Sequence, residues 1–357
     1  MADGSERFGY DDASRARDLF AGKMRERGME PNDVGEVVIA GSGLGYLAKD
    51  HMEVDLDAEG NVKDGLPFDD FWEALGIATL PGEKVKGHKC ELVVGSLKGE
   101  DSKRLVLVQS GREHPYEGIS TRRATFWLRL AQLLGVKTLL GSNAAGILTP
   151  GELKRCDLML INGDIDNGKD NPLTGYNDPR FGTRFPDMGD DGYPEATRKL
   201  MRSVAARLGI NLKEGMYVRE PGPNYESRNK VYQLADDAER IWKRGARVWH
   251  DERYVDKPVV AGVGMSTTFE ALVARHAFLA GDAKNPVFKN RAWVSVMTNF
   301  AAMLGADPNG GGSLRLEHGD VAEAAEEVRP YFGRLIKETL LELRAVEDDM
   351  DSQDSGA

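Results

Sequence analysis

The chain has 357 residues, 41% of them hydrophobic and 29% charged, with a formal net charge of −11. That length holds one large or two small domains with a sizeable core. The acidic balance argues against nucleic-acid binding, which needs a basic face, and no apolar run approaches the ~20 residues of a membrane helix, so neither partner is expected. The N-terminal MADGSERFGYDD lacks an apolar segment, so no secretory signal is expected. Cys90 and Cys156 are isolated, without CxxC or Cys/His zinc spacing, and read as reduced thiols of a cytoplasmic protein.

Residues 1–9 read as a flexible N-terminus and 347–357, EDDMDSQDSGA, as a disordered acidic tail, leaving one domain over 10–346. Along it, helical periodicity over 13–27 precedes the strand EVVIAG and the strands ELVVGSL and RLVLVQSG. A helix over 121–134 leads to KTLLGSNAAG and DLMLING, and one over 195–208 to MYVREPG. Helices over 227–243, 267–280 and 319–346 bracket VVAGVGMS and AWVSVMTN. Such alternation argues for an α/β fold around one central sheet. The charged stretch at about 238–258 reads as an insertion at the surface, and 306–313, ADPNGGGS, as a mobile connection before the last helix.

Six strands end in small or polar residues: GSGLG, QSGREH, SNAAG, EPGPNYE, GMS and TN. Ligands of open α/β sheets bind outside the carboxyl ends of strands, so one pocket is expected to collect all six. The turn Gly41-Ser42-Gly43-Leu44-Gly45 looks like an anion loop, yet it is neither a Walker loop, lacking Lys-Ser/Thr, nor G-x-G-x-x-G, its third glycine coming one residue early. Its residues fit either a phosphate cradle of backbone N–H groups and the Ser42 hydroxyl or a tight turn without a ligand. QSGREHPYEG adds Arg112, whose planar fork suits phosphate oxygens, with His114, Tyr116 and Glu117; Glu117 also reads as a structural partner of Arg112.

Taken together, GSGLG, GHKCELVVG, GREHPYEG, SNAAG, NDPRFGTRFPDM, EPGPNYE, VGMSTTFEALVARH, MTN and EH occur in the order found in trimeric purine nucleoside phosphorylases, and the chain resembles that family over about residues 12–340. The resemblance implies a single-domain nucleoside phosphorylase fold, a twisted mixed central β-sheet flanked by helices. It implies a homotrimer that cleaves 6-oxopurine nucleosides with orthophosphate as co-substrate, without a metal or organic cofactor. By motif position, Ser42, His88, Arg112, His114, the backbone N–H of Ala144, and Ser266 would hold phosphate; Tyr116, Met265 and His318 would contact ribose; and Phe185 would be lent to a neighbouring subunit's ribose pocket. Tyr225, Glu226, Val263 and Asn299 would surround the base, with Glu226 accepting from N1–H and Asn299 bonding N7, where charge develops as the glycosidic bond breaks. His114, Glu226, Asn299 and His318 would carry the catalytic roles.

A methylthioadenosine phosphorylase on the same fold would carry Asp at 299, no acid at 226 and no polar partner like His318, so these residues favour the 6-oxopurine enzyme. A non-catalytic nucleoside-binding protein would be expected to have lost Ser42, Arg112, His114 or Ser266. Three departures from the family pattern stand out. The loop 161–173 is short and lacks a D-H-I-N run, residue 300 is Phe rather than Lys, and the segment from Asn299 to His318 is lengthened around Gly310-Gly311-Gly312.

Overall fold

The computed structural model describes residues 8–354 except 59–61, 64, 78, 80–89, 250–258, 283–284 and 302–317; the side chains at 190, 244–249, 318, 351 and 353–354 also lie outside the description. The strands are β1 (Val34–Ala40), β2 (Met52–Glu53), β3 (Leu66–Pro67), β4 (Glu91–Leu97), β5 (Leu105–Ser110), β6 (Thr138–Ile147), β7 (Leu158–Asp166), β8 (Leu212–Arg219), β9 (Ala261–Gly264) and β10 (Asn290–Phe300). The helices are α1 (Tyr10–Glu26), α2 (Tyr46–His51), α3 (Phe68–Ala74), α4 (Thr121–Ala124), α5 (Phe126–Leu133), α6 (Glu195–Leu208), α7 (Arg228–Trp249), α8 (Thr268–Ala280) and α9 (His318–Asp354).

The period-two geometry of a strand sends alternate side chains to opposite faces. In β1, Val37 and Ile39 enter one core with α1, α3, α5 and α8, while Val38 and Ala40 enter a second core with α2, α6 and α9. Both faces are covered, which is why these strands read as continuous apolar runs. The sheet is mixed, in the order β10-β7-β8-β9-β6-β1-β5-β4-β2, and β10 also pairs with β6. That extra pairing closes β6, β9, β8, β7 and β10 into a ring, a closure absent from the expected open sheet.

The ring forms because β6 is longer than its neighbour. On one edge β6 pairs with β1 only over Thr138–Gly141, and with β9 only at Gly146 and Ile147. Its other edge pairs with β10 over its full length. Between β1 and β9, Ser142–Ala145 has no strand beside it among the described residues.

Several boundaries differ from the sequence reading. The helix expected over 121–134 breaks at Thr125, whose Oγ1 donates to the Thr121 carbonyl at 2.8 Å, a back-bond that bends helices. The stretch read as an insertion continues α7 as far as Trp249, with Ala238 buried against β8 and β9; 250–258 lie outside the described residues. The tail is helical to Asp354 rather than disordered: Glu347 accepts from Asn290 Nδ2 at 3.0 Å and Arg104 Nη1 at 3.3 Å, and Arg104 also pairs with Asp348. At the other end Phe8 is buried, 5.0 Å from the Phe126 ring. The Gly-rich stretch 306–313 lies outside the described residues.

The second half of α9 is fixed to the sheet by Arg344, whose Nε and Nη2 each lie 2.9 Å from the carboxylate of Glu36 on β1, both side chains being buried. Removing one partner leaves the other charge buried and unpaired, at a cost of about 3–5 kcal/mol. Arg344→Ala is therefore expected to lose about that much stability in chemical denaturation, and the double variant Arg344→Met/Glu36→Leu to recover most of it. Equal losses in both would contradict this reading of the pair.

Candidate active site

A cavity of about 110 Å³ lies at the open stretch of β6 and draws on all six of the strand ends singled out in the sequence. Ser42, Arg112, His114, Tyr116, Ala144, Tyr225, Glu226, Val263, Met265, Ser266 and Asn299 line it together. Phe185, expected at a neighbouring subunit's pocket, is 84% exposed and is not part of this cavity's lining. His88 lies outside the described residues, and the side chain of His318 does too, although α9 begins at that residue and Val321, one turn on, reaches the cavity wall.

The polypeptide is packed tightly around Arg112, one of the cavity's lining residues. Ser142 Oγ donates to Ile39 O at 2.7 Å and accepts from Gly41 N at 3.2 Å, tying the exit of β1 to β6. A Cβ on Gly41 would sit 2.7 Å from Ser142 O and 2.9 Å from Arg112 Nη1. Gly43 has φ +77, a left-handed conformation that glycine adopts without strain. Arg112 and Glu270 are 2% and 1% exposed and form a fork-to-fork pair, Nε and Nη2 lying 2.9 and 3.1 Å from the two carboxylate oxygens.

Ser266 is placed by a strained turn. Thr267 has φ 74 and ψ −51, and Thr268 N donates to Ser266 O at 2.9 Å. This is the rare γ-turn, held at a β-branched residue for which positive φ is an outlier. Its neighbours hold it in place: Asn143 Nδ2 donates to Thr267 Oγ1 at 2.8 Å, and Ser266 N donates to Tyr217 Oη at 3.2 Å. Thr268 Oγ1 donates to Asp166 at 2.9 Å, and Asp166 is in turn paired with the fully buried Arg219. Those contacts fix the start of α8 to β7 and β8.

Also in the cavity lining, the His114 and Tyr116 rings stack at 4.7 Å and 14°, and His114 N donates to Glu117 Oε2 at 2.6 Å. Glu117 thus serves the turn backbone, whereas the carboxylate on Arg112 belongs to Glu270. A Cβ on Gly222 would lie 2.5 Å from Met265 Sδ and 3.3 Å from Tyr116, so EPGPNYE is laid directly on both.

Glu226 and Asn299 also line the cavity. Burial, with a smaller contribution from Glu220, pushes the Glu226 carboxyl above the usual glutamate range. Asn299 follows a bulge: the register of β10 against β6 skips from Met297 to Asn299, so Thr298 is the extra residue. Bulges re-aim side chains near active sites, and here both Thr298 and Asn299 line the cavity. Thr298 Oγ1 donates to Asn299 Oδ1 at 2.6 Å, and Asn299 Nδ2 donates to Phe300 O at 3.0 Å. Sequence reasoning missed Glu270, Tyr217, Thr298 and Asn143; Glu270 stands inside the quoted GMSTTFE, but nothing local marks it as the partner of Arg112, 158 residues earlier. Among the described residues no group of three or more His, Cys, Asp or Glu side chains is placed to hold a metal, and no helix is long and apolar enough to cross a membrane.

A cavity lined by an arginine, hydroxyls, a buried glutamate and an asparagine, on this mixed sheet, fits the comparison with known proteins. The family model described as Phosphorylase superfamily matches residues 65–281. The chain is 34% identical over 300 residues to purine nucleoside phosphorylase 1 of Geobacillus stearothermophilus, covering 84% of this chain and 88% of that one. It is 36% identical over 250 residues to the Mus musculus purine nucleoside phosphorylase, covering 68% and 71%. Among solved structures, the Schistosoma mansoni purine nucleoside phosphorylase in complex with inosine aligns with a TM-score of 0.67 at 26% identity, over 92% of this chain and 95% of that one. The chain belongs to the purine nucleoside phosphorylases of the phosphorylase superfamily.

Because the Gly41 backbone touches both Ser142 and Arg112, Gly41→Ala is expected to cost about 1–3 kcal/mol of stability through overpacking. If Arg112 holds orthophosphate, Gly41→Ala is also expected to weaken that binding about tenfold, the change in Kd that 1.4 kcal/mol produces. Denaturation and titration calorimetry check the two effects; unchanged phosphate binding would contradict the placement of Arg112 by this turn.

Proposed function

We propose that the chain catalyses the reversible phosphorolysis of purine nucleosides, inosine, guanosine and their 2′-deoxy forms, giving the free base and (deoxy)ribose 1-phosphate. The observation that carries this is the convergence of Ser42, Arg112 and Ser266 with Glu226 and Asn299 on one cavity. The names of its relatives point the same way, and ribose 1-phosphate, the proposed sugar product, is bound beside cytosine in a structure of the second Schistosoma mansoni isoform, aligned with a TM-score of 0.69 at 27% identity.

Orthophosphate is held by Ser42, Arg112, His114, the Ala144 N–H and Ser266, and by its motif position His88 joins them. Tyr116, Met265 and His318 hold the ribose between phosphate and base. As the C1′–N9 bond breaks, its electron pair goes to the purine and positive charge grows on the sugar. Phosphate stabilises that charge and forms the new C1′–O bond. Asn299 hydrogen-bonds N7 more strongly as negative charge builds there, which raises the rate where uniform binding would not. Glu226, as a carboxylate, accepts from N1–H and from the 2-amino group of guanine. Val263 and Tyr225 border the base.

The exposed Phe185 suits a homotrimer in which it completes the ribose pocket of a neighbour. The enzyme needs no metal or organic cofactor and works in the cytoplasm, in purine salvage.

The Glu226 carboxyl is raised, so its folded pKa lies above its unfolded value near 4.5. Between those two values the folded state binds more protons, so this group's contribution to stability falls as pH rises. Binding has the opposite sign, because only the carboxylate accepts from N1–H. The KM for inosine is therefore expected to climb on acidification from a pH above the normal glutamate range, and this climb should vanish in Glu226→Gln, read from kcat/KM against pH.

Adenosine lacks N1–H and methylthioadenosine lacks the 5′-hydroxyl as well. Each is expected to show kcat/KM at least about a hundredfold below inosine, the size of a mismatch at a buried polar group. A schistosome homologue has been crystallised with adenosine, so turnover rather than binding is the quantity to compare. Methylthioadenosine cleaved as well as inosine would contradict the proposed base and 5′ contacts.

A further inference from the structure

We propose that Glu270 is a positioning residue for orthophosphate: it fixes the plane of the Arg112 guanidinium so that Nη1 is the arm offered to the phosphate oxygens. This rests on the phosphorylase reading above. A guanidinium has five N–H donors in a rigid fork. Glu270 takes Nε at 2.9 Å and Nη2 at 3.1 Å, and the Ser142 carbonyl takes Nη2 at 2.9 Å. Those three acceptors account for the N–H groups of Nε and Nη2. The two hydrogens of Nη1 remain, and Nη1 lies beside Gly41, at the glycine-rich turn that also supplies Ser42 to the cavity.

Glu270 is well placed for this because its helix end is itself immobilised. It lies in the first turn of α8, immediately after the γ-turn that presents Ser266, and that turn is anchored through Asn143, Tyr217 and the Asp166–Arg219 pair. Two groups that line the cavity, Arg112 after β5 and Ser266 after β9, are thereby referenced to one rigid point. An ion pair buried this deeply is often no more stabilising than apolar packing of the same volume, so stability is weak grounds for keeping it. A directed fork gives better grounds, since bidentate pairing adds geometric specificity.

The test is steady-state phosphorolysis of inosine with phosphate and inosine varied separately, for wild type, Glu270→Gln and Glu270→Asp. Glutamine turns an N–H₂ donor toward Nη2 or Nε, and aspartate keeps the charge but is one methylene short. Positioning predicts a phosphate KM raised at least about tenfold in both variants, as for loss of one charge-assisted hydrogen bond, with the inosine KM within about twofold of wild type. If Glu270 instead only moderates the charge of Arg112, the aspartate variant keeps the wild-type phosphate KM and the glutamine variant lowers it, which overturns the proposal. Both KM values moving together with Tm would reduce Glu270 to a structural role and also overturn it. A crystal structure of the wild type with orthophosphate gives the same answer without variants. Nη1 on a phosphate oxygen with Glu270 still on Nε and Nη2 supports positioning; phosphate on the Nε edge with Glu270 displaced overturns it. Base release by wild type without phosphate would defeat the phosphorylase reading itself, whatever the variants do.

Discussion

The site depends on one strand outlasting its neighbour. β6 loses β1 at Gly141 and does not meet β9 until Gly146, while β10 holds its other edge throughout. A backbone edge left open inside a protein would ordinarily be costly, because buried N–H and C=O groups need partners. Here the gap is converted into a cavity. The Ser142 carbonyl goes to Arg112, and Ala144, Ala145 and Gly146 form the cavity wall. The glycines that flank the gap are required by close packing: a Cβ at Gly141 would lie 2.1 Å from the Trp293 ring, and one at Gly264 would lie 2.4 Å from Tyr217 Oη and 3.2 Å from the Ala144 carbonyl. The answer to what GSGLG does is therefore twofold. It is a tight turn demanded by packing, and the same tightness brings Ser42 and Arg112 Nη1 to one place.

Around the gap, polar side chains hold one another in place. The γ-turn at Thr267 is a conformation that costs of order 1–3 kcal/mol and persists only where the surroundings over-determine it. Asn143, Tyr217 and Asp166 supply that determination from three different strands. Such rigidity suits a site that must discriminate between a neutral nucleoside and a charge-separated transition state, because preorganised donors need not rearrange as charge develops.

What the sequence made legible follows from which forces are local. The long strands were readable because both faces are buried, and the six polar strand ends because each interrupts an apolar run. The 195–208 helix appears with those bounds, Gly209 closing it in the left-handed conformation. Pairing is long-range, and its consequences were hidden: the closure of β10 on β6, the bulge at Thr298, the carboxylate on Arg112. The acidic end of α9 read as a free tail because its partners, Arg104 and Asn290, lie 243 and 57 residues away from Glu347. The short pieces β2, β3, α2 and α3 escaped because elements of two to seven residues carry too little periodicity to register.

On the proposed mechanism, orthophosphate attacks the sugar in the site that the open edge of β6 builds. The most direct measurement is ³¹P NMR of the protein with inosine and orthophosphate, followed in time beside hypoxanthine release. The account predicts that ribose 1-phosphate appears mole for mole with hypoxanthine, that orthophosphate falls by the same amount, and that no base is released when phosphate is withheld. Hypoxanthine released with free ribose and an unchanged phosphate signal would make the protein a hydrolase and contradict it.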